Sequence, residues 1–168
     1  MKNIEIRTAK LSDLEVIEGL AQTIWREHYT PIIGSNQVEY MLANFQSVAV
    51  MQEQIYNGYN YYLMIYRSEP VGYLSIRKDA DALFLSKIYV LKEFRGKGIA
   101  RAAMNFVVSE TIRAGLGLVT LTVNKNNTMT ILAYEKMGFL IKGPKVTEIG
   151  GGYVMDDFVM ELEVWQTN

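Results

Sequence analysis

Apolar positions along the chain recur with period two in some runs and with a helical period in others, and the two patterns take turns from one end to the other. Met1-Lys2-Asn3-Ile4-Glu5-Ile6-Arg7 alternates like a half-buried strand, and residues 4–9 read as the first strand. Ser12-Asp13-Leu14-Glu15 has the form of a capping box. Behind it Leu14, Ile17, Leu20, Ala21 and Ile24 share one face of an amphipathic helix. Thr30-Pro31-Ile32-Ile33-Gly34 breaks that helix, Ser35 and Ser47 look like caps of two further short helices, and Asn57-Gly58 ends the region. Residues 60–66 and 71–78 are strand-like, and Arg67-Ser68-Glu69-Pro70 between them predicts a hairpin. The apolar run 83–91 precedes a helix over about 98–114 whose buried side carries Ala102, Ala103, Phe106 and Val107. Residues 118–123 read as a strand and 127–137 as a helix that stops at Gly138, a position suited to left-handed backbone. Strands at 139–142 and 154–164 close the chain around a turn region holding Gly150-Gly151-Gly152.

The resulting order, β-α-α-β-β-β-α-β-α-β-β, is an α/β class with a mixed sheet and helices on both faces. Residues 83–123 form a right-handed parallel crossover within it. With 168 residues, no repeat and no linker, a single domain over 1–168 is expected.

Composition removes several functions and selects none. Hydrophobic residues at 49% and charged residues at 21% are ordinary for a soluble globular protein. The apolar stretches are strand-sized and broken by charge, so no transmembrane helix is expected, and the N-terminus lacks the apolar core of a signal peptide. A cytoplasmic location is the default. The chain has no Cys, hence no disulfide framework or thiolate nucleophile, and its one His, His28, argues against a His-based metal site. Seventeen Lys and Arg against 18 Asp and Glu, a net charge of −1, argue against a nucleic-acid partner.

The chemistry concentrates in two blocks. Arg95-Gly96-Lys97-Gly98-Ile99-Ala100 follows the apolar run and opens a helix. Glycines let a ligand approach the main chain, the first N–H groups of the helix have no partner within it, and Arg95, Lys97 and Arg101 add charge. Together these favour a phosphate or pyrophosphate. The second block runs from Asn124 and Asn127 through Tyr134 to Gly138-Phe139.

In this order and spacing the two blocks resemble the signatures of the GNAT superfamily of acetyl-CoA-dependent N-acetyltransferases, over residues 82–139 and, by element order, nearly the whole chain. The resemblance implies acetyl-CoA as cosubstrate, no metal, and direct attack of a small amine. It places Ile88, Tyr89 and Val90 beside the pantetheine arm, with the Val90 N–H as an oxyanion donor. Arg95, Gly96, Lys97, Gly98, Ile99, Ala100 and Arg101 would take the pyrophosphate. Asn127 would hydrogen-bond the CoA arm, while Asn124 turns the loop. Tyr134, two helical turns beyond Asn127, would donate to the departing thiolate, since a phenol of pKa about 10 stays neutral at pH 7.

The general base stays open. Many relatives carry Glu four residues before the position of Val90, and this chain has Ser86 there. Tyr89, Glu27, His28 or a chain of waters are the alternatives. Residues 25–40, with Glu27, His28 and Tyr29, and the Gly-rich turn before Tyr153 combine aromatic and acidic groups suited to a cationic amine. This loosely resembles small bacterial polyamine acetyltransferases. Asp156 and Asp157 fit equally as surface or sheet-edge charges. A protein or peptide acceptor, or a CoA-binding module without catalysis, are the competing readings, and a homodimer is compatible with each.

Overall fold

A computed structural model of the protein describes residues 3–164; Met1 and Lys2, where the N-terminal alternation begins, lie outside the described residues. The chain forms two compact units, Met1–Arg77 with Ser86–Val107, and Lys78–Leu85 with Val108–Asn168.

The first unit holds strand β1 (Ile4–Thr8), helices α1 (Leu14–His28), α2 (Thr30–Ile33), α3 (Ser35–Phe45) and α4 (Val48–Tyr56), and strands β2 (Tyr59–Tyr66) and β3 (Glu69–Lys78). It also holds the last residues of β4 (Leu83–Val90) and the first of helix α5 (Ile99–Arg113). The strand order is β1-β2-β3-β4. Ile4 stands opposite Tyr66 and Tyr59 opposite Arg77, both pairings antiparallel. Arg67 and Ser68, at φ 50° and 69°, make a two-residue hairpin turn whose left-handed backbone matches the strand twist, so Glu69 and Pro70 already belong to β3. The ring of Tyr62 packs on Phe106 of α5, whereas its neighbour Tyr61 bonds Gln54 of α4, so helices cover both faces as expected.

All five residues expected on the inner face of α1 are buried, and Trp25 joins them. The start of the helix differs from expectation. Ser12 lies inside a short 3-10 turn, Leu11–Asp13, and the Asp13 carboxylate folds back to accept from the Lys10 N–H at 2.7 Å, so the Ser12 capping box does not form. Between β1 and β2, where the caps along the chain pointed to three helices and the element order to two, four form. Pro31 sits in the first turn of the short α2, where its missing N–H costs nothing, and Gly34 at φ 85° redirects the chain into α3. Ser35 is therefore the first residue of α3 rather than its cap, while Ser47 does cap α4, accepting from the Val50 N–H at 3.3 Å.

The second unit holds the beginning of β4, strand β5 (Leu118–Asn124), helix α6 (Thr128–Lys136) and strands β6 (Leu140–Gly150) and β7 (Tyr153–Glu163), in strand order β4-β5-β7-β6. Leu83 pairs with Val119 in parallel, and β5 with β7 and β7 with β6 are antiparallel. Val119, Leu121 and Val123 lie across from Leu162, Met160 and Phe158, and this face is apolar. The other face carries Thr120, Thr122 and Asn124 across from Glu161, Val159 and Asp157. Strand β6 runs well past the expected 139–142. Gly143-Pro144 looks like a break in sequence, but β6 ends the strand order, and the register shift between Ile141 and Gly143 absorbs a proline that has no N–H to give.

Candidate active site

The expected site residues fall in both units. Glu27, His28, Tyr29, Ile88, Tyr89, Val90 and the turn 95–101 belong to the first; Asn127, Tyr134 and Tyr153 belong to the second.

In the first unit β4 ends at Val90, which is buried, and the turn after it is fixed by main chain. Leu91 N–H donates to Val71 O at 2.9 Å and the Arg95 Nε–H donates to Val90 O at 3.1 Å. Arg95 thus spends one donor on holding the strand end, and Lys97 and Arg101 stand exposed beside it. Gly96 and Gly98 adopt φ 77° and 82°, a conformation that side chains disfavour, and α5 begins at Ile99. The turn thus combines exposed glycines and cationic side chains with the amide end of a 15-residue helix, a composition suited to an anion.

Gly72 of β3 was not anticipated. A Cβ there would lie 2.4 Å from the Tyr89 carbonyl oxygen and 3.2 Å from Val90 Cα, so β3 can approach the end of β4 only without a side chain. Its signal in the sequence was a glycine inside a strand-like run.

Within the first unit, aromatic rings cluster around the end of α1. Trp25 and Tyr29 stack at 4.2 Å between centroids, and Tyr89 meets Trp25 at 5.6 Å and Tyr29 at 6.3 Å. Tyr73 adds its ring 5.4 Å from Tyr89. His28 stands edge-on to Tyr29 at 4.8 Å, and the exposed Glu27 carboxylate lies 3.8 Å from the Lys92 ammonium. Burial pushes the Tyr73 phenol well above its ordinary pKa, and its hydroxyl donates to Gln46 Oε1 at 2.8 Å.

Lys87 is a second residue that sequence reasoning missed. It sits in β4 on the same face as Leu85 and Tyr89 and is 5% exposed. Its Nζ donates to Phe45 O at 2.5 Å, to the Tyr61 hydroxyl at 2.6 Å and to Gln54 Oε1 at 3.3 Å. The Tyr61 hydroxyl in turn donates to Gln54 Oε1. Burial pulls the Lys87 pKa down to about 7 and pushes the Tyr61 phenol up. A charged residue in the middle of an apolar strand was the available sign.

In the second unit the Asn124 carboxamide oxygen accepts from the Asn126 N–H at 2.9 Å, and the Asn127 N–H donates to Asn124 O at 2.9 Å. Asn124 therefore builds the turn into α6, as expected. Asn127 is the buried N-cap position, and its carbonyl accepts from Ile131 N–H. Tyr134 is half-buried, its ring 5.5 Å from that of Phe139. Gly138 has φ 104°, the left-handed stop expected there. Tyr153 begins β7 after three glycines with φ between 61° and 91°. Among the described residues no group of three or more His, Cys, Asp or Glu could hold a metal, and no helix is long and apolar enough to cross a membrane.

Residues 20–139 match the acetyltransferase (GNAT) family, and the chain belongs to it. It is 36% identical over 95 residues to the uncharacterized N-acetyltransferase Rv2669 of Mycobacterium tuberculosis, covering 56% of this chain and 60% of that protein. The match thus spans well under two thirds of that relative. It is 33% identical over 89 residues to the peptidyl-lysine N-acetyltransferase YjaB of Salmonella typhimurium, 52% of this chain and 54% of the relative. Over 164 residues it is 23% identical to the spermidine N(1)-acetyltransferase of Thermoplasma acidophilum, covering 95% and 96%. The fold is that of PaiA N-acetyltransferase from Thermoplasma acidophilum, solved with coenzyme A, at TM-score 0.79 and 22% identity over 95% of this chain and 98% of the other.

Proposed function

We propose that the protein is an N-acetyltransferase that moves an acetyl group from acetyl-CoA to a primary amine in the cytoplasm, with a polyamine as the favoured acceptor. The observation that carries this reading is the left-handed Gly96–Gly98 turn that leads from the end of β4 into α5. It supplies main-chain donors for a pyrophosphate immediately after the strand whose Val90 N–H we assign to the acetyl carbonyl.

In this reading residues 95–101 hold the diphosphate, and Ile88, Tyr89 and Val90 align the thioester. Asn127 binds the CoA arm, and Tyr134 protonates the sulfur as it leaves. Alignment of the two reactants supplies most of the acceleration, so no covalent enzyme intermediate is required. The aromatic group around Tyr29 and Tyr89, with Glu27, His28 and Tyr153, forms the acceptor region and suits an aliphatic cation. The full-length similarity to a spermidine acetyltransferase supports a polyamine, and the shorter similarity to a peptidyl-lysine acetyltransferase supports a lysine side chain. Thiol release from acetyl-CoA, measured against polyamines, amino acids and lysine-containing peptides, tests the reading. Release with none of them ends it, and a preference for peptide moves the acceptor to the second class.

A further inference from the structure

Lys87 is a buried amine that the proposed reaction leaves idle. Its three hydrogen bonds all go to neutral oxygens: Phe45 O at the end of α3, Gln54 Oε1 on α4 and the Tyr61 hydroxyl on β2. An ammonium carries three N–H donors and no acceptor, whereas a neutral amine carries two donors and a lone pair. By number of donors the surroundings of Lys87 fit the charged form, while removal from water favours the neutral one.

The neutral form also has a complete set of partners. Ser75 stands directly across from Tyr61 in the β2–β3 register and so shares its face of the sheet. The Ser75 hydroxyl is buried and makes no hydrogen bond among the described residues, yet it lies near enough to the Tyr61 phenol to oppose the rise that burial imposes there. With Lys87 neutral, the Tyr61 hydroxyl turns from Gln54 to donate to the amine, and Ser75 is placed to donate to the Tyr61 oxygen. The two remaining N–H groups then serve Phe45 and Gln54 without charge, and such bonds are roughly half as strong as charge-assisted ones. Phe45 therefore loses most of its hold. The next residue, Gln46, is 3% exposed, and its Oε1 accepts from the Tyr73 hydroxyl at 2.8 Å. The Tyr73 ring lies 5.4 Å from Tyr89, which in turn meets Trp25 and Tyr29. All these residues belong to the first unit.

We infer that Lys87 is a positioning residue for the acceptor region: its ammonium fixes the junction at Phe45 and Gln46, and Tyr73 passes that position to the rings of Tyr89, Trp25 and Tyr29. Loss of the proton slackens the junction and with it the ring cluster. The effect on an amine acceptor rests on the acetyltransferase reading, whereas the coupling between Lys87 and the rings stands without it.

The titratable groups on the elements packed around Lys87 have other partners or face water. Tyr61 and Tyr73 are phenols whose pKa burial pushes up, so both stay protonated, and Tyr59 of β2 accepts from Arg77. Tyr89, on its own strand, packs in the ring cluster. From the helices, the Glu18 carboxylate of α1 accepts from the Val48 N–H at 2.8 Å, Glu39 of α3 pairs with Arg26, and Glu53 of α4 is exposed. Burial, rather than any of these charges, draws the Lys87 pKa down to about 7. The ammonium is therefore present below neutrality and lost above it.

The test uses the full chain. Carbon-13 labelling of lysine Cε reads the titration of Lys87, and the Trp25 indole N–H resonance reads the ring cluster. Between pH 6 and 9 the two should move with one midpoint in the wild type. In Tyr73→Phe, Lys87 should still titrate while Trp25 stays in place, because the bond to Gln46 is gone. In turnover with spermidine, the KM of Lys87→Met should exceed that of the wild type by about fivefold at pH 6, the worth of one hydrogen bond, and the ratio should shrink by pH 8.5. Ionisation of spermidine itself is common to both proteins and cancels in the ratio, and a purely structural Lys87 would give a ratio constant with pH. A constant ratio, a Lys87 that stays charged to pH 9, or a Trp25 signal unmoved while Lys87 titrates overturns the inference. Coupled movement of Lys87 and Trp25 in a protein that releases no thiol with any amine would instead remove the acetyltransferase reading and leave the coupling in place.

Discussion

The Lys87 ammonium donates to the carbonyl of Phe45, the last residue of α3, at 2.5 Å. A helix C-terminus leaves its final carbonyls without partners, and a cation there is favoured by the dipole. Lys87 reaches this carbonyl from the buried face of β4, so one side chain closes a helix and crosses to the Tyr61 hydroxyl of β2.

This arrangement predicts a stability that depends on pH in a definite direction. Burial lowers the Lys87 pKa to about 7 in the fold from 10.5 in the free side chain. Between those values the unfolded chain binds the extra proton, so stability rises with pH from about 7 to 10. In Lys87→Met that rise should disappear, a difference on the order of a few kcal/mol at the alkaline end. Urea unfolding from pH 6 to 10 measures it, and parallel curves for the two proteins would contradict it.

Gly72→Ala should destabilise the protein by about 1–3 kcal/mol, the usual cost of overpacking, because the new methyl meets main chain at 2.4 Å. The atoms it displaces are Tyr89 O and Val90 Cα, so acetyl-CoA turnover should fall at temperatures where the variant is still folded. Thermal melts and single-temperature kinetics separate the two effects.

Gly98→Val should weaken acetyl-CoA binding tenfold or more while leaving the helix content unchanged. Space is available for the side chain, but φ of 82° costs a branched residue about 1–2 kcal/mol, and the turn must relax away from the conformation that aims its amides. Calorimetric affinity equal to the wild type would remove the diphosphate from this turn.

Tyr134→Phe keeps the ring that packs on Phe139 and removes only the hydroxyl. Turnover should fall by about 10²–10⁴-fold with little change in acetyl-CoA affinity, the signature of a lost proton donor. An unchanged rate across the pH range would make Tyr134 a packing residue.

Much of this architecture was legible in the residues because local chemistry decided it. Leu14, Ile17, Leu20, Ala21 and Ile24 declared the inner face of α1, and Gly138 and Gly58 marked helix ends with left-handed backbone. The turn 95–101 followed from the same logic. What escaped depended on partners distant in sequence. Lys87 is stabilised by Phe45, Gln54 and Tyr61, none of which is local to it. Gly72 matters only because Tyr89 passes over it. The long β6 was hidden by Gly143-Pro144, which break a helix or a central strand but not an edge.

The two compact units are each assembled from two separated stretches, and those stretches interleave: first, second, first, second along the chain. No single cut of the polypeptide therefore divides one from the other. During synthesis the first unit must wait for Val107 to leave the ribosome before its last piece arrives, by which time residues 78–85 of the other have already been made. A gene split anywhere between residues 78 and 107 yields two halves that each hold parts of both, so a working split protein needs the fragments to find one another rather than to fold apart.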